Sequence, residues 1–136
     1  MSNELLCIKD LVLQYVTDEE TVEAINGISF TIRNGSTVGL VGETGAGKTS
    51  TALSIMGLVP HPPGKIVGGK IFYENADLLH KNTKEMRKIR GKEIAMIFQD
   101  PMTSLNPVLA VGDQIAEAIL LHSSLSREGA ANKAKE

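Results

Sequence analysis

The sequence has 136 residues, 42% of them hydrophobic and 22% charged, near the averages of soluble globular proteins, which allows one domain and excludes disordered, collagen-like or coiled-coil chains. Fourteen Lys and Arg against sixteen Asp and Glu give a net charge of -2, so no overall positive field is available to hold nucleic acid, and none is expected as a partner. The single Cys7 can make neither an internal disulfide nor a thiolate metal cluster, and the start MSNELLCIKD lacks the basic and long apolar segments of a signal peptide.

In chain order, the apolar and polar alternation over residues 5–15 predicts a strand, and Asp18, Glu19 and Glu20 mark a solvated loop. Residues 28–32 read as a second strand. The Asn34-Gly35 turn makes residues 29–41 look like a hairpin whose second strand, 37–41, runs into a glycine-rich segment. Residues 48–56 carry Ala52, Leu53, Ile55 and Met56 and predict a largely buried helix ended by Gly57 and Pro60. The Pro and Gly of 61–69 predict a loop, residues 70–73 a strand, and residues 74–77 a turn using Asn75. Asn82 with Glu85 three positions on has the form of a capping box, so a second helix starts there, buries Met86 and Ile89, and closes at Gly91.

The uninterrupted apolar run 94–98 suits a parallel strand covered on both faces. A helix is predicted over 111–122, with Ile115, Ala118, Ile119 and His122 on its buried face. The polar tail from residue 123 has weak helical character and no large apolar face. No run reaches the about 20 apolar residues of a membrane span, so membrane contact is expected only through a partner. The histidines His61, His80 and His122 have no metal-site spacing. The cluster Lys81, Lys84, Arg87, Lys88, Arg90 and Lys92 is most simply a solvated face.

Residues Gly42, Glu43, Thr44, Gly45, Ala46, Gly47, Lys48 and Thr49 read GETGAGKT, the pattern G-x-x-x-x-G-K-[ST], between a predicted strand and a predicted helix. Glycines let the loop turn tightly and bring its amides to phosphate oxygens, while the helix N-terminus adds positive partial charge. Lys48 reaches the outer phosphates, the Thr49 hydroxyl is a ligand for magnesium, and Ser50 is placed at the alpha phosphate. A dinucleotide fingerprint G-x-G-x-x-G begun at Gly45 would need glycine where Ser50 stands. The expected ligands are therefore ATP and Mg2+.

With that loop placed, LVGETGAGKTSTALSIMGLVP at 40–60 and EIAMIFQDPMTSLNPVLAVGDQIAEAI at 93–119 closely resemble the ATP-binding subunits of ABC transporters of the oligopeptide, dipeptide and nickel uptake group. The resemblance runs over essentially the whole chain. It implies an α/β P-loop fold of the ABC-ATPase type: an antiparallel β subdomain and part of a parallel core sheet over about 1–100, then the Q-loop and the start of the helical subdomain over about 99–136. It implies that Tyr15 stacks on adenine with Val22 as apolar neighbour. Gln99 takes the place of the Q-loop glutamine, a catalytic position that approaches magnesium and the attacking water. Residues 100–107 then correspond to the segment that meets a permease's cytoplasmic coupling helix, with Met102 and Leu105 as apolar contacts.

The resemblance further implies a head-to-tail pair with a second ATP-binding subunit, transmembrane permease partners, and a peripheral place on the cytoplasmic face of the cell membrane. The 136 residues hold no LSGGQ-like signature, no Walker B strand and no switch histidine, so hydrolysis is expected to need residues outside them. Two readings follow: part of a peptide-importing or nickel-importing transport ATPase, or a stand-alone nucleotide-binding docking module without ATPase activity.

Overall fold

The computed structural model describes residues 3–99 and 105–136. They divide into two units, residues 1–86 and 87–136. The first is built on a four-stranded antiparallel sheet in the order β2-β1-β3-β4, formed by β1 (Glu4–Val16), β2 (Thr21–Arg33), β3 (Gly64–Tyr73) and β4 (Ala76–Asp77). Its core is one face of the sheet, with Leu6, Ile8, Leu11, Leu13, Ile25 and Ile71 buried.

The buried positions on β1 change parity between Ile8 and Leu11. Strict alternation would send Leu11 and Leu13 to the opposite face from Leu6 and Ile8, because strand side chains repeat every two residues. The ladder to β2 shifts register between Ile8 and Leu11, and Asp10 there adopts a φ of 46°. This bulge returns the apolar set to the core. Ser29 on β2 holds it, accepting from the Asp10 amide at 2.7 Å and donating to Asp10 Oδ1 at 3.0 Å. On the other side, Gly69 (φ +88°) faces the bulge so closely that a Cβ would lie 2.5 Å from the Asp10 carbonyl oxygen.

That approach explains why residues 64–69 are strand rather than the expected loop. Their glycines are needed for pairing with β1, where Tyr15 faces Gly64, Leu13 faces Ile66 and Val12 faces Gly68. β3 turns into β4 through Glu74 and Asn75, both at positive φ (46° and 68°), the conformation a two-residue hairpin demands. A 3-10 turn over Leu78–His80 follows, capped by Asp77, whose side chain accepts from the Leu79 amide at 3.0 Å. α1 (Lys48–Met56) has the predicted bounds and ends at Gly57, which is left-handed.

α2 (Thr83–Ile89) begins with the predicted capping box: the Asn82 amide donates to Glu85 Oε2 at 2.8 Å and the Glu85 amide to Asn82 Oδ1 at 3.1 Å. Met86 is buried, Ile89 half-buried, and Gly91 beyond the helix is at φ +81°.

The antiparallel sheet of the expected fold is formed, whereas the hairpin strand expected at 37–41 and the parallel strand expected at 94–98 are not. Residues 36–43 form no strand and have no ladder partners, so no hairpin follows Asn34-Gly35, and Val41 is 94% exposed. In the second unit, residues 94–98 contribute a single parallel bridge, Arg90 with Ile94, and Ile97 is 97% exposed. A fully covered parallel strand exists only between neighbouring strands, and among the described residues neither run has them.

The second unit holds α3 (Val111–His122), with the predicted bounds, and α4 (Arg127–Lys133), which pack on each other. The tail is thus more helical than expected. Ser126 caps α4, its hydroxyl accepting from the Gly129 amide at 3.1 Å. Small residues suffice for the contact: Ala116 on α3 and Ala130 on α4 are buried. The expected face of α3 is corrected accordingly. Ile119 and His122 are half-buried as expected, but Ile115 and Ala118 are exposed while Ala116 is buried, because α4 covers a neighbouring stripe.

Candidate nucleotide site

The loop over residues 42–47 leads into α1 by two left-handed glycines, Gly45 (φ +86°) and Gly47 (φ +79°). Gly47 is the N-cap and supplies no side-chain cap to the helix. A Cβ there would lie 2.3 Å from the Ala24 carbonyl oxygen of β2, so the loop is seated directly on the sheet edge. Around Gly45 nothing lies within 4 Å of where a Cβ would be.

The loop's polar groups are unevenly used. The Ala46 amide donates to the Glu43 carbonyl at 3.1 Å, whereas no described acceptor pairs with the amides of Gly45, Gly47, Lys48 or Thr49. Unpaired first-turn amides are a general property of helix N-termini and favour anions. The Lys48 ammonium bends back across the loop and donates to the carbonyls of Gly42 (2.7 Å) and Glu43 (2.6 Å). The Thr49 side chain is exposed, while Thr51 and Ser54 turn inward and donate to the Gly47 and Ser50 carbonyls at 2.8 and 2.7 Å.

Tyr15 and Val22 are cross-strand partners at the end of the β1–β2 ladder. The Tyr15 hydroxyl lies 3.3 Å from Ser50 Oγ. Tyr15, Val22, Gly42, Glu43, Thr44, Gly45, Ala46, Gly47, Lys48, Thr49 and Ser50 all lie in the first unit, with Tyr15 brought to Ser50 and Val22 paired only with Tyr15. Gln99 belongs to the second unit and is exposed in a bend. The buried strand expected to carry it is not formed. Of the segment assigned to a permease, Asp100 to Ser104, including Met102, lie outside the described residues, and Leu105 is exposed.

Two contributors to the site were not read from sequence. Ala24 supplies the carbonyl under Gly47, and no pattern marks a backbone group in a distant strand. The Tyr15–Ser50 contact spans 35 positions and depends on how the β1 end meets α1.

The sequence profile of the ABC transporter family matches residues 25–136. The chain belongs to the ABC transporter family. It is 48% identical over 132 residues to the oligopeptide transport ATP-binding protein OppD of Bacillus subtilis (strain 168), covering 97% of this chain and 37% of that protein. It is 47% identical over 127 residues to the dipeptide transport ATP-binding protein DppD of the same organism, covering 93% of this chain and 38% of that one. The chain thus spans well under half the length of these curated relatives. Among solved structures it is similar to a dimer of the ATP-binding cassette MJ0796 in a post-hydrolysis state bound to ADP and Pi. There the TM-score is 0.79 at 23% identity, over 96% of this chain and 54% of that one. This likeness establishes the ABC-ATPase fold. Among the described residues, no helix is long and apolar enough to cross a membrane.

Proposed function

We propose that this chain binds Mg-ATP through residues 42–50 as part of an ABC importer ATPase that drives uptake of peptides or a similar small solute across the cytoplasmic membrane. The observation that carries the proposal is the uncapped N-terminus of α1. Its unpaired amides, the open space at Gly45 and the adjacent Lys48 form a cradle for a polyphosphate. The donor set fits: backbone amides and one ammonium for phosphate oxygens, a threonine hydroxyl for a hard cation.

In this reading the amides of Gly45, Gly47, Lys48 and Thr49 hold the beta phosphate. Lys48 leaves the Gly42 and Glu43 carbonyls to meet the outer phosphates, and Ser50 contacts the alpha phosphate. Tyr15 stacks on adenine beside Val22, and Glu43, Thr44 and Ala46 shape the rim. Thr49 is the magnesium-side hydroxyl, Gln99 keeps the magnesium-sensing Q-loop role that the family resemblance implies, and the bound cation would neutralise charge on the beta and gamma phosphates. Turnover draws on groups that these 136 residues do not include.

The partner reading is supported by the relatives, which are ATP-binding proteins of oligopeptide and dipeptide transport. A second ATP-binding subunit pairs head to tail, and a transmembrane permease docks on the segment after Gln99, holding the protein at the inner face of the membrane. Thermal-shift titration with ATP, with and without magnesium, tests the nucleotide site. Stabilisation by Mg-ATP is expected, and no shift at millimolar ligand would refute it. Site-directed crosslinking from Leu105 to a co-expressed permease tests the docking surface.

A further inference from the structure

The backbone just before α3, at Asn106 and Leu109, is tied down by one side chain. Gln114, in the first turn of α3, accepts from the Asn106 amide through Oε1 at 2.8 Å. Its Nε2 donates to the Asn106 carbonyl at 3.0 Å and to the Leu109 carbonyl at 3.1 Å. Asn106 in turn accepts from the Val108 amide at 3.0 Å through its own Oδ1, and its carbonyl also takes the Leu109 amide at 3.2 Å. The Gln114 amide thus uses both its donor and its acceptor ends on the backbone of two residues. Glutamate would keep the acceptor and lose both donations, leucine would lose all three, and asparagine is one methylene too short.

The clamped segment carries apolar side chains that it does not bury: Val108 is 87% exposed, and Leu105, Leu109 and Val111 are also exposed. A loop bearing exposed aliphatics keeps them displayed only if its backbone is held from elsewhere, and here the holder is on α3. Loop and helix start therefore move as one piece.

We propose that Gln114 is a positioning residue for the response to the permease: it locks residues 105–110 to α3, so that the exposed aliphatic side chains of this segment are presented to a docked permease in one arrangement. The inference rests on the docking surface given under Proposed function. Gln114 touches neither nucleotide nor magnesium in this scheme, and its loss changes the response to the permease rather than the chemistry.

The experiment compares the full natural chain, alone and assembled with its permease, as wild type, Gln114→Leu and Gln114→Glu. For Gln114→Leu, exchange of the Asn106 amide is expected to speed up about tenfold, with basal ATPase kcat and KM within about twofold of wild type and permease-stimulated turnover down about tenfold. Gln114→Glu, which retains the Asn106 bond, is expected to fall between the two and serves if Gln114→Leu does not fold. Unchanged stimulation in a variant whose Asn106 amide has loosened overturns the proposal, as does an equal fall in basal kcat. A wild-type protein that ignores the permease would refute the docking surface as well, which separates that failure from one of Gln114 alone.

Discussion

The hydroxyl of Tyr15, near the end of β1, lies 3.3 Å from the hydroxyl of Ser50 in the first turn of α1, across 35 positions of sequence. This contact joins the end of the antiparallel sheet to the first turn of α1, directly after the glycine-rich loop. It gives the aromatic ring two separable properties, a face and a hydroxyl.

Substitution separates them. Stacking of a base on an aromatic side chain is worth about 1–3 kcal/mol, so Tyr15→Ala is expected to weaken ATP binding by roughly five- to a hundredfold. Tyr15→Phe keeps the face and loses only the contact with Ser50, and its affinity should stay within about fivefold, since neutral hydrogen bonds contribute about 1 kcal/mol or less net. Titration with a fluorescent ATP analogue measures both. Full affinity in Tyr15→Ala would assign the ring to packing alone.

Lys48 donates to the carbonyls of Gly42 and Glu43, contacts that the proposed phosphate binding would replace. Because charge-assisted hydrogen bonds are worth about 1.5–3 kcal/mol each, Lys48→Ala is expected to lower Mg-ATP affinity by roughly ten- to a hundredfold. Isothermal calorimetry reads this directly, and an unaltered dissociation constant would remove the loop as the binding site.

The two left-handed glycines of the loop should differ in their tolerance of alanine. At Gly45 the side chain meets open space, so only the backbone strain of about 1–2 kcal/mol applies. At Gly47 the same strain is joined by a collision with the Ala24 carbonyl, which forces the loop off the sheet. Denaturant melts should therefore show Gly47→Ala losing clearly more stability than Gly45→Ala. Equal losses would mean that the loop's seat on β2 is soft.

The capping box of α2 offers a test outside the site. Asn82→Ala removes the acceptor for the Lys84 and Glu85 amides, a loss of about 1 kcal/mol for a helix cap. Faster hydrogen exchange at those two amides, with Tyr15 and the phosphate loop undisturbed, is the expected result.

Local signals in the sequence account for much of this. The G-x-x-x-x-G-K-[ST] loop, the bounds of α1 and α3, and the Asn82–Glu85 box were all legible because each is written within a few residues: a glycine pair for positive φ, a helical period, a side chain reaching three positions along. The course of β1 was legible too, but its bulge at Asp10 was not. Local alternation cannot announce that Ser29 and Gly69, on two other strands, are shaped to hold it.

What the tertiary structure alone decided are the relationships between segments. It turned the glycine-rich residues 64–69 into strand by pairing them with β1, and chose which stripe of α3 meets α4. It also left 37–41 and 94–98 without ladders despite their apolar character. Chain-local chemistry sets the dihedral angles that a helix cap or phosphate loop requires. A strand exists only when another backbone lies alongside to take its hydrogen bonds, and that condition is met in space, not along the sequence.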